Sequence, residues 1–433
     1  MTSTGSELSS APSAECWRNA KFFEDVVRAD LNADASEVVH VVDVQVANAN
    51  AKVEGYMSLM HRVAVEFQVG GAGEVQTRSY IVKEKSSKVF GGDFVEKLAV
   101  FSKEIEMYET FLPAFEEFWG DAGIQFGPRV LKTVSTPYTV IVMEDLKSKG
   151  FSMKQRSEGL SLELCEQVLS KVAKFHAASV VYFEQVTIPR IESFKIHLNY
   201  FFQNGPYPED FKEGFLSEKL KEDMEAYYAP LLESYIQALE DLGFPVEVRE
   251  ALNCYRGKMY SYLCKLFEPD LAKFNVLNHG DLWVNNLQFS ETEVLLLDYQ
   301  IAVYGSPSMD LLYFIINSSA LDVRTDKFDH LIEHYHSELV KSLKVLNAKT
   351  KIPTLQDIQE DARQHGFLAC VMSMEGLLMM LVPEVELNME MLGSSTEAGF
   401  EYRKSFYSYP RVKSMLEKLV PFMWERGFLK MVE

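Results

Sequence analysis

The chain has 433 residues, 47% of them hydrophobic and 24% charged, which is enough to bury the core of two or three lobes. Its 43 basic and 63 acidic residues give a formal net charge of −20, so we expect no nucleic-acid partner. The five cysteines are odd in number and lack short paired spacings, which argues against disulfides and a zinc site. We therefore expect a cytoplasmic, globular monomer.

The most polar and the most apolar segments of the chain argue against a targeting segment and against a membrane span. Residues 1–15 are small and polar, and we interpret them as a disordered tail rather than a targeting segment. The longest apolar stretch, Leu377 to Val382, is far shorter than the roughly 20 residues of a membrane helix. We expect no membrane insertion.

Residues 16–146 are predicted to form a first lobe rich in β-strands. Apolar periodicity indicates helices over 16–32 and 94–119 and strands over 38–47, 59–69, 77–84 and 133–143. The glycines of Gly70 to Gly73 lie between two strands and do not open a helix. We therefore interpret them as a hairpin and not as a dinucleotide-binding loop.

Residues 147–433 are predicted to form a larger, mainly helical second lobe. A short strand-like patch over 274–304 interrupts helices predicted over 161–182, 216–241, 246–266, 308–320, 324–347, 355–381 and 410–425. The sequence thus predicts an α+β chain in which a sheet-rich lobe precedes a helical one.

The strand-like patch holds the most informative polar residues. Asp281 and Asn286 are five residues apart, and Asp298 ends the next apolar run. Phosphoryl transfer from ATP needs a carboxylate that orients and deprotonates a hydroxyl, and oxygen ligands that hold Mg²⁺ against the phosphates. Any one of these residues alone would be an ordinary loop residue, but the set favours a catalytic site.

A hairpin would explain how these residues meet. If 286–290 pairs with 294–298 over a turn at 291–293, Asn286 lies opposite Asp298, with Cα atoms roughly 4.5 to 5.5 Å apart. A slip of one residue would break this alignment. His279, in the preceding turn, is interpreted as a buried imidazole that fixes the loop, because Asp281 already supplies a base.

The first lobe offers candidates for holding the triphosphate. Lys83 follows apolar residues of a predicted strand, where a kinase lysine contacts the α and β phosphates. On the following helix, Glu104 shares the face of Phe101 and Tyr108, whereas Glu106 points outward. We predict that Glu104 pairs with Lys83; the alternative is a solvated lysine.

Two further segments of the first lobe are candidate nucleotide contacts. The loop between the first two strands contains Gly55, which readily adopts unusual backbone angles, and Ser58, a candidate donor to phosphate. The segment from Met143 to Leu146 is predicted to be an extended hinge, with Glu144 and Leu146 offering main-chain hydrogen bonds to adenine.

Two other groups of residues have plainer interpretations. His330 and His334 are one helical turn apart, but His336 turns away, so we favour a solvated helix over a zinc site. Apolar residues of the second lobe could line a pocket for a flat alcohol, although helical core is the interpretation we favour. These residues are Phe194, Tyr200, Phe201, Phe202, Tyr207, Phe211, Met372, Met374, Leu377, Leu378, Met379 and Met380.

Five motifs together resemble the insect ecdysteroid kinase-like proteins, relatives of choline kinases and aminoglycoside phosphotransferases. The resemblance covers roughly residues 40 to 345, and its most specific part is His-Gly-Asp-x-Trp. The motifs are His279-Gly-Asp-Leu-Trp-Val-Asn-Asn286, Leu297-Asp-Tyr-Gln300, Pro307-Ser-Met-Asp-Leu-Leu-Tyr-Phe314, Glu144-Asp-Leu146 and Phe175-His-Ala177.

The resemblance implies a protein-kinase-like two-lobed fold and an activity that uses ATP and Mg²⁺. It implies that Asp281 is the catalytic base, that Asn286 and Asp298 are magnesium ligands, and that Asp310 supports the catalytic loop. Lys83 and Glu104 would be the phosphate-binding pair. The acceptor would be a lipophilic alcohol, ecdysteroid-like or xenobiotic. The sequence departs from the pattern in its glycine-poor phosphate loop and in lacking a proline soon after Lys83.

Two alternative functions were weighed against this one. A protein kinase needs an activation segment after its magnesium aspartate, and the stretch between Asp298 and Asp310 is too short for one. A catalytically silent nucleotide-binding module that acts through partners is the other alternative. The joint presence of Asp281, Asn286 and Asp298 favours the enzyme.

Overall fold

The structure is a computed structural model, and it describes most of the chain. The described ranges are 16–34, 36–49, 58–70, 73–85, 96–193, 209–212, 214–383 and 386–432, without the side chains of 186–193 and 209–210. The predicted tail at 1–15 and Gly55 lie outside these ranges.

The contacts within the chain divide it into two units. The first comprises Met1–Glu96, Ile105–Glu109 and Pro128–Phe151, and the second comprises Lys97–Glu104, Thr110–Gly127 and Ser152–Glu433. The helical residues between 97 and 127 therefore belong mostly to the second unit, whereas the sequence analysis placed them in the first lobe. The domain boundaries remain a prediction.

The first unit is built on a five-stranded antiparallel sheet, in the order β1-β2-β3-β5-β4. Its strands are β1 (Val39–Asn48), β2 (Ser58–Val69), β3 (Gln76–Lys85), β4 (Val130–Val134) and β5 (Val140–Glu144). Alternation of apolar residues along β2 and β3 directs one face inward, as the period of two requires.

Helix α1 (Ala20–Leu31) packs on that inner face. Asn19 begins the helix, because its side chain accepts a hydrogen bond of 3.0 Å from the Phe22 amide. The buried face of α1 joins the sheet in one core that includes Trp17, Phe23 and Tyr80. Burial of this apolar surface is the main stabilising contribution in the unit.

The predicted helix over 94–119 is interrupted. It consists of α2 (Val100–Glu106), a π-helical turn (Met107–Phe111) and α3 (Leu112–Phe118). Pro113 lies in the first turn of α3, and because it has no N–H group it cannot continue the α-helical hydrogen-bond pattern from the preceding turn.

The second unit is mainly helical. Its described helices are α4 (Leu162–Ser193), α5 (Lys221–Asp241), α6 (Val246–Asn253), α7 (Met259–Leu266), α8 (Ser308–Ser318), α9 (Leu321–Asp326), α10 (Phe328–Val345), α11 (Leu355–Gln364), α12 (Phe367–Val371), α13 (Leu377–Leu381), α14 (Met389–Gly393), α15 (Glu397–Tyr407) and α16 (Pro410–Glu425).

Two long predicted helices are each divided. The helix predicted over 246–266 breaks near Gly257, whose φ of +67° is incompatible with a continuing helix. The helix predicted over 355–381 bends by 50° between α11 and α12 and then contains a π-helical turn, Met372–Gly376. Helices α14 and α15 were not predicted.

Two short antiparallel strand pairs lie among the helices. Strand β6 (Val276–Asn278) pairs with β9 (Val303–Gly305), and β7 (Leu287–Phe289) pairs with β8 (Val294–Leu296). The segments between these four strands hold Asp281, Asn286 and Asp298. The predicted α+β class, with a sheet-rich first part and a mainly helical second part, is confirmed.

Among the described helices, none is by itself both long and apolar enough to cross a bilayer. Within the ranges that the structure describes, one bent pair, α11 with the stretch Phe367–Leu381, passes by length and composition.

Candidate active site

The loop that follows β6 depends on a glycine. Gly280 has a φ of +83°, and a Cβ atom built on it would lie 2.3 Å from the carbonyl oxygen of Ile301. Any other residue would be strained in its backbone and would also collide with that carbonyl. The requirement for glycine between His279 and Asp281 is therefore steric.

The carboxylate of Asp310 fixes the backbone of this loop. It lies in the first turn of α8 with no exposed surface, and its carboxylate accepts hydrogen bonds from the amides of His279 (2.7 Å) and Gly280 (2.9 Å). Hydrogen bonds from two consecutive peptide groups to one carboxylate are charge-assisted and fix the loop backbone. These contacts are what the predicted supporting role of Asp310 requires.

His176 of α4 is a third partner of Asp310. Its Nε2 lies 3.1 Å from Asp310 Oδ2, and its Nδ1 lies 2.8 Å from the hydroxyl of Tyr335 on α10. Since a carboxylate can only accept, Nε2 carries the proton. His176 belongs to the Phe175-His-Ala177 motif, but the sequence analysis gave it no role, and Tyr335 went unnoticed.

His279 connects the loop to the segment before Asp298. Its Nε2 donates to the carbonyl oxygen of Leu297 at 2.8 Å, and its Nδ1 accepts from the amide of Asp281 at 3.3 Å. This arrangement uses the neutral imidazole, and burial lowers the pKa of His279, which favours the same form. A buried imidazole that fixes the loop is the role predicted for it.

Both carboxylate oxygens of Asp281 are engaged. The hydroxyl of Tyr313 donates to Oδ1 at 2.8 Å, and Nδ2 of Asn286 donates to Oδ2 at 2.9 Å. The same Nδ2 also bonds the carbonyl oxygen of Asp281 at 2.9 Å. The structure thus brings two predicted site residues together, and the rotamer of Asp281 is held from two sides.

Tyr313 was missed by the sequence analysis. It lies one helical turn after Asp310, so α8 presents both side chains from the same face. That spacing within Pro307-Ser-Met-Asp-Leu-Leu-Tyr-Phe314 was the signal that could have identified it. Burial and the charge of Asp281 raise the pKa of Tyr313, so its hydroxyl stays protonated and can donate.

The predicted pairing of Asn286 with Asp298 is wrong by one residue. Leu287 pairs with Leu296, and the amide of Leu297 donates to the carbonyl oxygen of Asn286 at 2.8 Å, so Leu297 is opposite Asn286. The turn contains two residues and not three, because the amide of Ser290 bonds the carbonyl oxygen of Glu293. A two-residue turn is the commonest hairpin connection.

Asp298 follows directly and has a left-handed backbone, with φ of +66°. Few residues other than glycine adopt this conformation, and such strain is concentrated at functional sites. Leu297, its neighbour, is bonded through its carbonyl to His279 and through its amide to Asn286. The residue before Asp298 is therefore hydrogen-bonded both to His279 and to Asn286.

In the first unit, Lys83 lies within the central strand β3. It faces Met60 of β2 and Ile141 of β5 and is 3% exposed. On α2, Glu104, which belongs to the second unit, is 1% exposed, whereas Glu106, which belongs to the first unit, is partly exposed. The inward orientation of Glu104 was thus predicted correctly, and its pairing with Lys83 remains a proposal.

The hinge predicted over Met143 to Leu146 is shorter than expected. The chain is extended only through Asp145, since Leu146–Lys149 forms a 3₁₀ helix with Leu146 buried. Glu144 ends β5, and its carboxylate accepts from the amide of Arg129 and pairs with Lys149. Its own amide donates to the carbonyl oxygen of Arg129, so that group is already used.

Asp145 is the charged residue that fixes this end of the sheet. Arg62 of β2 contacts it in a bidentate manner (2.7 and 3.4 Å), and the Ser79 hydroxyl of β3 donates at 2.7 Å. Burial alone would raise the pKa of Asp145, but these hydrogen bonds and the charge of Arg62 outweigh burial and lower it.

The remaining candidates of the first unit are less informative. Ser58 is buried at the start of β2, opposite Lys85. Gly55, the other candidate of that loop, lies outside the described residues.

The three histidines of α10 do not converge. His330 contacts the Glu166 carboxylate, His334 contacts Ser170 and the Glu166 carbonyl, and His336 contacts the Pro353 carbonyl. Within the described ranges, no group of three or more His, Cys, Asp or Glu side chains could hold a metal ion.

The described apolar residues of the proposed acceptor lobe are mostly core. Phe211, Met372, Met374, Leu377, Leu378 and Met380 are buried, and Met379 is partly exposed. Phe194, Tyr200, Phe201, Phe202 and Tyr207 lie outside the part of the chain that the structure describes.

Comparison with solved structures finds similar chains at low identity. A choline kinase from Cryptosporidium parvum Iowa II is 13% identical with a TM-score of 0.45, and the match covers 89% of this chain and 91% of that one. An amicoumacin kinase in complex with AMP-PNP and Ca²⁺ is 12% identical with a TM-score of 0.36, covering 85% and 89%. A putative fructosamine-3-kinase from Haemophilus somnus 129PT is 9% identical with a TM-score of 0.32, covering 92% and 96%. At these values, the neighbours' ligands cannot be transferred to this chain.

Comparison with family models is more informative. No curated protein matches the chain, but the model of the ecdysteroid kinase-like family matches residues 52–348. This range covers more than half of the chain and includes Lys83, Glu104, Asp281, Asn286, Asp298 and Asp310. The resemblance inferred from the motifs is confirmed: the chain belongs to the ecdysteroid kinase-like family.

Proposed function

We propose that this chain is an ATP- and Mg²⁺-dependent small-molecule kinase that phosphorylates a hydroxyl group of a lipophilic metabolite. The observation that carries the proposal is the environment of Asp281. Its two oxygens are held by Tyr313 and Asn286, in a loop whose amides are fixed by Asp310. A preorganised carboxylate beside amide and carboxylate oxygens is the donor set that phosphoryl transfer to an alcohol uses.

Asp281 is the proposed base, which orients the acceptor hydroxyl and takes its proton as the oxygen attacks the γ-phosphorus of ATP. The bond from that phosphorus to the β–γ bridging oxygen breaks, and ADP leaves. The Asn286 amide is oriented by its nitrogen, which bonds Asp281, so its oxygen is the atom available to a cation. Asn286 and Asp298 supply hard oxygen ligands, which suit Mg²⁺. When bound, Mg²⁺ would neutralise charge on the phosphates.

The nucleotide contacts are proposed from the first unit and α2. Lys83 is proposed to contact the phosphates and Glu104 to hold Lys83, with Gly55 and Ser58 covering the phosphates and Glu144 and Leu146 near the adenine. These assignments rest on the residue types and on family membership. The lipophilic, ecdysteroid-like or xenobiotic acceptor is proposed from family membership.

Asp281→Asn tests the function directly. The variant removes the base but keeps the size of the side chain, and phosphorylation of an alcohol such as ecdysone is expected to fall by about 10² to 10⁴-fold. Binding of ATP is expected to change little. Asp322→Asn, at an exposed position in α9, is the matched control and keeps full activity.

Two outcomes would contradict the proposal. Equal product formation by wild type and Asp281→Asn would remove Asp281 from catalysis. Binding of ATP without turnover of any alcohol in a broad panel, by wild type and variant alike, would favour the silent nucleotide-binding module.

A further inference from the structure

A second carboxylate of the second unit has an unusual setting. Glu375 lies in the π-helical turn Met372–Gly376, and the hydroxyls of Tyr227 and Tyr228 donate to its two oxygens at 2.7 and 3.0 Å. Turns of this kind are rare and are frequently found at functional sites. The mechanism proposed above does not use Glu375.

The two tyrosines are fixed before any ligand arrives. A Cβ atom on Gly393 would lie 2.4 Å from the ring of Tyr227, so the ring packs directly on that glycine. The ring of Tyr228 is stacked on Tyr260, with centroids 6.2 Å apart. Holding both donors in this way lowers the entropy cost of forming a binding site around Glu375.

Among the described residues, the Glu375 carboxylate is bonded by hydroxyl groups and not by a cationic side chain. Burial raises the pKa of its carboxyl, and hydrogen bonds from Tyr227 and Tyr228 oppose that rise. In the described part of the chain, no lysine, arginine or histidine forms an ion pair with it. Each oxygen accepts one hydrogen bond from the described residues, and a carboxylate oxygen can accept a second one. Glu375 and Tyr227 also remain partly exposed to solvent.

Glu375 is close to the catalytic loop. Besides burial and Asp281, the charge of Glu375 raises the pKa of Tyr313, the residue whose hydroxyl donates to Asp281. Helix α8 supplies a direct connection, since Asn317 lies one turn beyond Tyr313 on the same face. A Cβ atom on Gly376 would lie 2.0 Å from Asn317 Oδ1, so the π-helical turn packs closely on α8.

We propose that Glu375, with Tyr227 and Tyr228, binds a second hydrogen-bond donor of the acceptor, a hydroxyl or ammonium group separate from the hydroxyl that Asp281 orients. This subsite rests on the proposed phosphotransferase function. The π-helical turn that carries Glu375 would then contribute to acceptor specificity. Such a subsite favours acceptors with at least two polar groups over lipophilic alcohols with only one.

The test measures KM and kcat at saturating ATP for three probes. Ecdysone carries several hydroxyls, pregnenolone carries one, and ethanolamine carries an ammonium group. In Glu375→Gln, the KM for whichever of ecdysone and ethanolamine wild type prefers is expected to rise about 10- to 100-fold, because a hydrogen bond to a charged group is lost. The KM for pregnenolone and the basal hydrolysis of ATP should change by less than about threefold.

Two variants accompany this one. Glu401→Gln, exposed on α15, is the matched control and should leave every constant unchanged. Tyr227→Phe keeps the carboxylate and removes one donor, and it should weaken the preference for ecdysone or ethanolamine over pregnenolone about threefold to tenfold. If Glu375→Gln does not fold, Tyr227→Phe decides the question.

The outcomes separate the two proposals. If wild type phosphorylates a probe and neither Glu375→Gln nor Tyr227→Phe changes its preference among the three, the subsite is wrong and the kinase function stands. If wild type binds ATP but phosphorylates neither the probes nor any other alcohol of a broad panel, the proposed function fails, and the subsite fails with it. If wild type phosphorylates pregnenolone but neither ecdysone nor ethanolamine, the subsite is wrong and the kinase function stands. Whichever of ecdysone and ethanolamine wild type prefers identifies the donor as hydroxyl or ammonium.

Discussion

Asp310 and Asp145 are both buried carboxylates with several hydrogen bonds, but they hold different kinds of group. Asp310 accepts from the amides of His279 and Gly280 and from a histidine. Asp145 accepts from the side chains of Arg62 and Ser79, which belong to neighbouring strands. The first carboxylate sets the backbone of a loop that carries chemistry, and the second joins strands of a sheet. Losing either should destabilise the fold, and only loss of the first should stop catalysis outright.

Asp310→Asn is expected to have the largest effect. The amide keeps one acceptor oxygen but loses the charge and cannot serve all three donors, so unfolding free energy should drop by about 3 to 5 kcal/mol. Phosphorylation should become undetectable, since the loop that carries Asp281 is no longer fixed. Denaturant unfolding and a product assay measure the two effects. Retained activity at temperatures where the variant is folded would contradict the loop-holding role.

Gly280→Ala should have the next largest effect, and Gly150→Ala is its matched control in the other unit. Gly150 has a φ of +82° with no atom within 4 Å of an added Cβ, so alanine costs only backbone strain, about 1 to 2 kcal/mol. Gly280 adds the collision with the carbonyl of Ile301, and its cost should exceed that of Gly150. Equal losses in thermal and denaturant unfolding would show that the loop can shift away from the added methyl group.

Asp145→Asn should have the smallest effect of the three, about 1 to 3 kcal/mol at neutral pH. Because the pKa of Asp145 in the folded chain is lowered from 3.8, its contribution is fully present above pH 3.8 and is lost as pH falls through the folded value. The stability difference between wild type and variant should therefore shrink at acidic pH. Turnover at saturating ATP should change little.

Asp43→Asn, at an exposed position of β1, is the control for that pH series. It should follow the wild-type curve at every pH. A stability difference between wild type and Asp145→Asn that stays constant down to pH 3 would contradict the assigned pKa direction.

The sequence predicted the parts of the molecule that local pattern determines. Strands β2, β3 and β5 alternate or run apolar in ways that identify them, and Asp281, Asn286 and Asp298 are recognisable by type and spacing. Even the inward side of Glu104 followed from its helical neighbours. These features depend on residues a few positions apart.

The features that were missed depend on distant residues or on small local choices. Tyr227 and Glu375 are far apart in the sequence, and neither segment has a local pattern that predicts their contact. The hairpin register was wrong because two- and three-residue turns fit the same apolar pattern, and a single residue changes every opposed pair. The π-helical turns cannot be distinguished from α-helix by apolar periodicity.

The left-handed backbone of Asp298 restricts which amino acids can replace it without strain. Glycine, asparagine and aspartate adopt a φ near +66° most readily, so asparagine is the replacement that removes the charge and keeps both the side-chain shape and the backbone there. Alanine at the same position would alter backbone and charge together. Position 298 thus allows electrostatics to be separated from geometry by a single isosteric exchange.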